Sequence, residues 1–294
     1  IDVIGNNFQI IFNKKTGFLK NYIYSNRHLI RSELIPHFWR APTDNDRGNM
    51  MHKRTAIWKN VGNELTINFF QRSLSNNVVK IKMVANHEPT GSIITITYNI
   101  FGSGLIDIEQ EIVTEKETLP ELPRFGMKMT LPKDFNRVSW YGRGPHESYW
   151  DRKTSAPIKV YSGTVWEQTY PYVRPQETGN KTDVRWMALD NGTIGMLAIG
   201  QPLFDGSVHQ YPYQDLENVS GVNRHGKLDI KPKGQVDWLL DYRQTGIGGD
   251  NSWGARTHQK YTLDGKSTNY KYHFYLIPFT KGVDIIALSK INMN

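Results

Sequence analysis

The 294-residue chain contains no cysteine, which excludes disulfides, thiolate metal ligands and cysteine nucleophiles together. The absence does not identify a compartment. No run of about 18 apolar residues exists, so no membrane-spanning helix is expected and no membrane partner is implied. Positive charge exceeds negative, with 36 Lys and Arg against 28 Asp and Glu, yet the basic residues are scattered. Without a basic block, a helix-turn-helix or a zinc-finger pattern, nucleic acid is not an expected partner. The histidines, among them His146, His209, His225 and His258, show no His-x-x-x-His or His-x-His spacing for a metal. No repeat of 20 to 50 residues points to a propeller or solenoid. No Pro- or Ser-rich linker divides the chain, since Leu119-Pro-Glu-Leu-Pro123 is short enough to be a turn. Neither an initiator Met nor a basic and apolar leader stands at Ile1-Asp-Val-Ile, which reads as a processed protein or a piece of a longer one.

What is present is a globular composition, with 38% hydrophobic, 12% aromatic and 22% charged residues. Strand signals dominate. Phe8, Ile10 and Phe12 alternate, Asn13-Lys-Lys-Thr-Gly17 turns, and residues 19–24 run back, which predicts a β-hairpin. Similar short segments rich in Ile, Val, Thr and Tyr recur at 65–70, 78–84, 92–101 and 105–113. Later ones fall at 127–130, 137–141, 185–190, 194–200, 226–230, 236–242 and 270–278, separated by Asn, Gly, Pro and Ser clusters. Only residues 54–61 look helical. Strands throughout, without βα alternation, predict an all-β sandwich or barrel, with residues 1–294 forming one large domain.

Four clusters rich in aromatic and charged residues interrupt the strands. They are Phe38-Trp-Arg-Ala-Pro-Thr-Asp-Asn-Asp-Arg-Gly48, Tyr141-Gly-Arg-Gly-Pro-His-Glu-Ser-Tyr-Trp-Asp-Arg152, Tyr170-Pro-Tyr-Val-Arg-Pro-Gln-Glu-Thr-Gly179 and Asp241-Tyr-Arg-Gln-Thr-Gly-Ile-Gly-Gly-Asp-Asn-Ser-Trp-Gly254. In the last, Gly246, Gly248 and Gly249 permit positive φ and close backbone approach, which suits successive tight turns. Trp253 follows Asp250, Asn251 and Ser252, so a flat apolar ring stands beside short hydrogen-bonding groups. A sugar needs that combination, although a Trp anchoring the loop to the core satisfies the same residues. A phosphate loop fits less well, because the final glycine of a dinucleotide fingerprint and a P-loop lysine are both missing.

The remaining candidates have structural readings beside chemical ones. Asp44 and Asp46 resemble the start of a calcium loop, but Thr55 occupies the twelfth position, and Asx-turns are expected instead. Glu147, Asp151 and Glu177 invite a glycosidase reading, yet Arg143, Arg152 and Arg174 nearby suggest loop-holding ion pairs. His146 and Glu147 could serve a sugar epimerase, but adjacent residues of an extended segment face opposite ways. Asn-x-Ser/Thr sequons at Asn180, Asn191 and Asn218 match by chance too often to carry weight.

Taken together, Phe38-Trp-Arg-Ala-Pro-Thr-Asp-Asn-Asp46, Tyr141-Gly-Arg-Gly-Pro with Glu147, Tyr149 and Asp151-Arg152, Tyr172-Val with Pro175, and Gly246-Ile-Gly-Gly-Asp-Asn-Ser-Trp253 resemble one family. It is the C-terminal, small-chain domain of glycoside hydrolase family 2 β-galactosidases. The resemblance spans most of the chain in order. It implies a large antiparallel β-supersandwich similar to galactose mutarotase, with the catalytic glutamates on a separate upstream TIM barrel. No catalytic residue and no cofactor is then expected in this chain, and any divalent or monovalent metal belongs to the missing catalytic part.

By the same resemblance Trp253, with Asp250 and Asn251, contacts a β-galactoside at the mouth of the barrel, and residues 48–54 form a mobile loop beside it. Asp46, Gly48 and Asn49 are the candidates there, although the sequence departs from better-known enzymes after Gly48. His146 stands where related sequences carry Gln. The expected partners are the β-galactoside substrate, the rest of the polypeptide and further copies in a homo-oligomer. A soluble protein of the bacterial cytoplasm or periplasm fits. A free-standing carbohydrate-binding module and an aldose mutarotase-like enzyme are the alternatives.

Overall fold

The structure is a computed structural model that describes residues 1–217, 230–251 and 253–290. The sequon at Asn218, His225 and Ser252 lie outside the described residues, as does the strand expected at 226–230 except Ile230, which is irregular.

Alternating apolar residues build the first sheet edge from β1 (Asp2–Ile4), β2 (Phe8–Phe12) and β3 (Leu19–Tyr24), with Phe8, Ile10 and Phe12 buried on one face of β2. The Asn13–Gly17 turn closes with Gly17 donating to the Asn13 carbonyl at 2.8 Å, and Gly17 has a positive φ of 71°. The short β4 (Arg27–His28) follows, then β5 (Ser32–His37). Next come β6 (Thr66–Ser75), β7 (Val78–His87), β8 (Ser92–Ile100) and β9 (Ile106–Val113), a meander of antiparallel hairpins. Asn76 and Asn77 turn β6 into β7 with φ of 49° and 62°, the left-handed pair that suits a two-residue hairpin.

The rest of the sheet comprises β10 (Arg124–Pro132), β11 (Arg137–Arg143), β12 (Ile158–Thr164), β13 (Lys181–Asp190), β14 (Ile194–His209), β15 (Gln235–Gln244) and β16 (Asn269–Thr280). The main path runs β1-β2-β3-β5-β10-β15-β14-β16-β9-β8-β7-β6, and β13, β11 and β12 branch from β14. The fold is therefore mostly antiparallel β in a curled sheet, as expected for a mutarotase-like supersandwich. β14 makes the corner. Residues 194–201 pair with β16 and residues 205–209 with β15, while the register against β13 shifts between them.

Trp58, Trp140 and Trp238 are among the largest fully buried side chains, and each indole N–H has an acceptor. The buried faces of β2, β8, β9, β10 and β16 meet in one apolar cluster. Among the described residues no helix is long and apolar enough to cross a membrane.

The helical reading of 54–61 needs correction. Helical turns begin earlier, at α1 (Asp44–Gly48) and α2 (Met51–Arg54), and continue as 3-10 turns at Ala56–Trp58 and Val61–Asn63. The Thr43 hydroxyl accepts from the Asp46 N–H at 3.1 Å while the Asp46 carboxylate accepts from the Thr43 N–H at 3.0 Å. This reciprocal cap replaces the Asx-turns that the sequence suggests. A third short helix, α3 (Ile285–Leu288), is capped by Asp284.

Candidate functional site

The 245–254 loop leaves the end of β15 and its root is held from several sides. Thr245 donates its hydroxyl to the Leu122 carbonyl at 2.6 Å, and the Gly246 N–H donates to the Tyr261 carbonyl at 2.7 Å. The buried Arg40 guanidinium donates to the carbonyls of Thr245 and Gly246, and to both Asp46 oxygens at 2.8 and 3.0 Å. Asn45 donates to the Ile247 carbonyl at 3.2 Å. From the opposite cluster, the Asp151 carboxylate accepts from the N–H groups of Ile247 at 3.1 Å and Gly248 at 2.7 Å. Three of the four motif clusters thus meet on one strap of backbone.

The glycines of the strap serve close approach. A Cβ on Gly246 would lie 2.6 Å from Thr257 Oγ1 and 2.7 Å from Asp151 Cγ, and one on Gly249 would lie 2.4 Å from the Ala255 carbonyl oxygen. The expectation that Gly246, Gly248 and Gly249 supply positive φ is corrected, because none of them takes it. Gly254 does, at 118°, and there a Cβ would stand 3.0 Å from the Gly48 carbonyl oxygen.

That contact joins the tip to the second candidate segment. Gly48 ends α1, and Asn49 accepts from the Met51 N–H at 3.1 Å with its side chain and from Arg54 at 2.6 Å with its carbonyl. Residues 48–54 are therefore helical turns seated against the Trp253 loop. Asp46 is buried in its pairing with Arg40, at the wall of a cleft that Asn49 also lines.

At the tip, Trp253 is 90% exposed. Asn251 Oδ1 accepts from the N–H groups of Trp253 at 2.9 Å and Ala255 at 3.3 Å, so it orients the loop that carries the ring. Asp250 pairs with His258 at 2.7 Å, both side chains exposed. Of the two readings of Trp253, the buried anchor is excluded by its exposure.

The other carboxylates act as clamps. Glu147 accepts from Arg152 at 2.6 Å, from the Gly179 N–H at 2.8 Å, from Thr178 at 3.2 Å and from the Tyr172 hydroxyl. Glu177 is buried and accepts from Arg124, Gln244 and the Tyr213 hydroxyl. His146 instead meets Ser155 at 3.1 Å, so it is not joined to Glu147. Asn180 is buried and donates to the Ser148 carbonyl at 2.9 Å, and Asn191 donates to Asp134 at 2.8 Å. Among the described residues, no group of three or more His, Asp or Glu side chains is arranged to hold a metal.

Beneath the strap lies a buried polar floor that sequence reading misses. Arg124 on β10 stands 3.0 Å from Asp241 on β15 and about the same from Glu177, with Tyr213 stacked under its guanidinium. Burial by itself would lower the Arg124 pKa, but Asp241, Tyr213 and Glu177 raise it further than burial lowers it, so the residue stays charged. Asp205 faces Asp241 across β14 and β15. Burial pushes Asp205 up to about 7 and Asp241 well above the usual carboxylate range. Burial, with Arg124 and Lys181 nearby, holds His209 down at about 3. Lys181, buried over the Trp140 ring, is lowered to about 8. The signal in the sequence was slight: single charged residues inside otherwise apolar strands, such as Asp241 after Trp238-Leu-Leu.

Two clefts flank these elements. One of 480 Å³ is lined by Arg40, Asn49, Arg54, Glu121, Gly246 and Arg256 among others. Another of 380 Å³ is lined by residues of α1, by Asp151 and Arg152, and by Ile247 and Gly248.

A family described as "Beta galactosidase small chain" matches residues 4–276. The chain is 38% identical over 266 residues to a β-galactosidase of Priestia megaterium, covering 90% of this chain and 25% of that protein. It is 33% identical over 267 residues to a β-galactosidase of Lactobacillus delbrueckii subsp. bulgaricus, covering 89% and 25%. The chain thus spans about a quarter of the length of these curated relatives. Among solved structures, galactose 1-epimerase from Lactobacillus acidophilus aligns over 95% of this chain and 94% of its own at TM-score 0.50 and 6% identity, a likeness of fold alone.

Proposed function

The chain belongs to the β-galactosidase small-chain family, and from that premise we propose that it is one domain, residues 1–294, of a glycoside hydrolase family 2 enzyme that hydrolyses terminal β-D-galactosides. In this reading the chain presents Trp253 to a sugar site whose catalytic glutamates stand on a barrel elsewhere in the polypeptide. The observation that carries the proposal is the 90% exposure of Trp253 on a loop whose root is clamped by Arg40, Asn45 and Asp151. A large aromatic ring left in water by a rigid support is a contact surface for something outside the chain. The ring offers a face to the C–H groups of a pyranose.

The division of labour follows from the carboxylates. Glu147, Asp151 and Glu177 are each occupied by two or more donors from their own fold, so their hydrogen bonds serve loop geometry. The chain without its barrel is then inactive. Any metal the enzyme uses belongs to the barrel, and assembly into a homo-oligomer is part of the same reading.

Replacing Trp253 by Ala in the full-length polypeptide tests the role of the ring. The expected result is a fall of about tenfold in kcat/KM on a chromogenic β-galactoside, the size of one aromatic contact. Unchanged kinetics would remove Trp253 from the sugar site. Separately, hydrolysis by the 294-residue chain at the full-length rate would overturn the division of labour.

A further inference from the structure

We propose that the 380 Å³ cleft between α1 and the Tyr141 to Arg152 segment is a second binding site, for a neutral pyranose, distinct from the contact made by Trp253. Its volume lies within the range of about 300 to 1,000 Å³ usual for small-ligand sites. Its lining selects the ligand class. Carboxylates of Asp44 and Asp151 accept, the Arg152 guanidinium donates, and the Asn45 and Gln176 amides do both, with the ring of Tyr172 alongside. A sugar hydroxyl donates one hydrogen bond and accepts others, so it matches a wall of mixed acceptors and donors. Asp44 is paired with Arg174, Glu177 with Arg124 and Arg152 with Glu147, so the charged groups of the wall are already matched and an uncharged ligand fits without a counter-charge.

The wall is also built in advance of a ligand. Asp44 is held by Arg174 at 2.9 Å and by the Gln176 amide at 3.2 Å, and the Asp44 N–H donates to Gln176 Oε1 at 3.1 Å. Arg152 is held by Glu147 at 2.6 Å and by the Tyr172 hydroxyl at 3.3 Å. Asp151 is fixed by the N–H groups of Ile247 and Gly248. Groups held in place lose little freedom when a ligand arrives, which lowers the cost of binding. Because Ile247 and Gly248 belong to the strap that carries Trp253, a sugar in this cleft touches the support of the proposed active-site ring.

The choice of galactose as probe rests on the proposed function; the cleft itself does not depend on Trp253. Galactose titrated into the full-length polypeptide, with crystals of that polypeptide soaked in the same sugar, is expected to reveal two classes of site, one of them in this cleft. Asp44→Ala should weaken the cleft class about tenfold while kcat/KM on a chromogenic galactoside stays within about twofold. Arg152→Gln provides a second variant, read in the same way if Asp44→Ala lowers the yield of folded protein. A single class of site, or a second class indifferent to both substitutions, would overturn the proposal. Failure of the Trp253 reading looks different, since Trp253→Ala would then leave both the kinetics and the non-cleft class unchanged.

Discussion

The root and the tip of the 245–254 loop are a few residues apart in sequence and opposite in physics. The root is threaded between two side chains of opposite charge, with Arg40 on its carbonyls and Asp151 on its N–H groups. The tip carries a Trp that is 90% exposed and an Asp250–His258 pair that is open to water. The difference shows how a fold can fix the backbone beneath an exposed ring without covering it: hydrogen bonds hold the root, and the ring stays free of its own core.

Substitutions separate the two ends most sharply by their effect on stability. Arg40→Ala should have the largest effect, about 3–5 kcal/mol in urea unfolding, because it strands the buried Asp46 carboxylate beside two unpaired loop carbonyls. A loss below 1 kcal/mol would mean that the root is not held as described. Asp205 gives a pH signature for the floor below. Its pKa rises from the ordinary carboxylate range when unfolded to about 7 when folded, so stability is full below about pH 4 and is lost as pH rises through 7. Unfolding followed at pH 5 and pH 8 should show a loss on the order of 2 to 3 kcal/mol from this group, the rest of its contribution having gone between pH 4 and pH 5. Asp205→Asn should flatten that part of the profile, and an unchanged slope would contradict it.

Smaller effects follow at the strap and the tip. Asp151→Ala, which leaves two loop N–H groups without their acceptor, should cost about 1–3 kcal/mol and also lower kcat/KM in the full-length polypeptide. Thermal unfolding together with kinetics checks both. Trp253→Ala should change stability by less than about 0.5 kcal/mol, since the ring buries little within this chain. A stability loss as large as that of Arg40→Ala would erase the distinction between root and tip.

Much of the sheet was legible because its strands obey a period of two, as β2 does with Phe8, Ile10 and Phe12. β5 and β12 were missed: Pro36 interrupts the first, and an edge position leaves Ile158 and Val160 exposed in the second. The helical turns from Asp44 onward were read late because a four- or five-residue helix shows no periodicity, and its cap is a tertiary arrangement as well as a local one. At the site, Trp253 and its neighbours stood out by composition. Arg40 did not, since nothing local says that a residue between Trp39 and Ala41 will reach Thr245 and Gly246.

The sequence by itself determined the strand-rich class, the absence of thiol chemistry and the motif order that marks the family, because these depend on residue types and short-range spacing. Only the tertiary structure decided which carboxylates are clamps, why Gly246 must lack a side chain, and that Trp253 faces water. The clamps and the close approach at Gly246 depend on groups that the fold brings together from separations of 32 residues, between Glu147 and Gly179, to 206, between Arg40 and Gly246, where burial and hydrogen-bond distance are fixed by packing and not by local sequence.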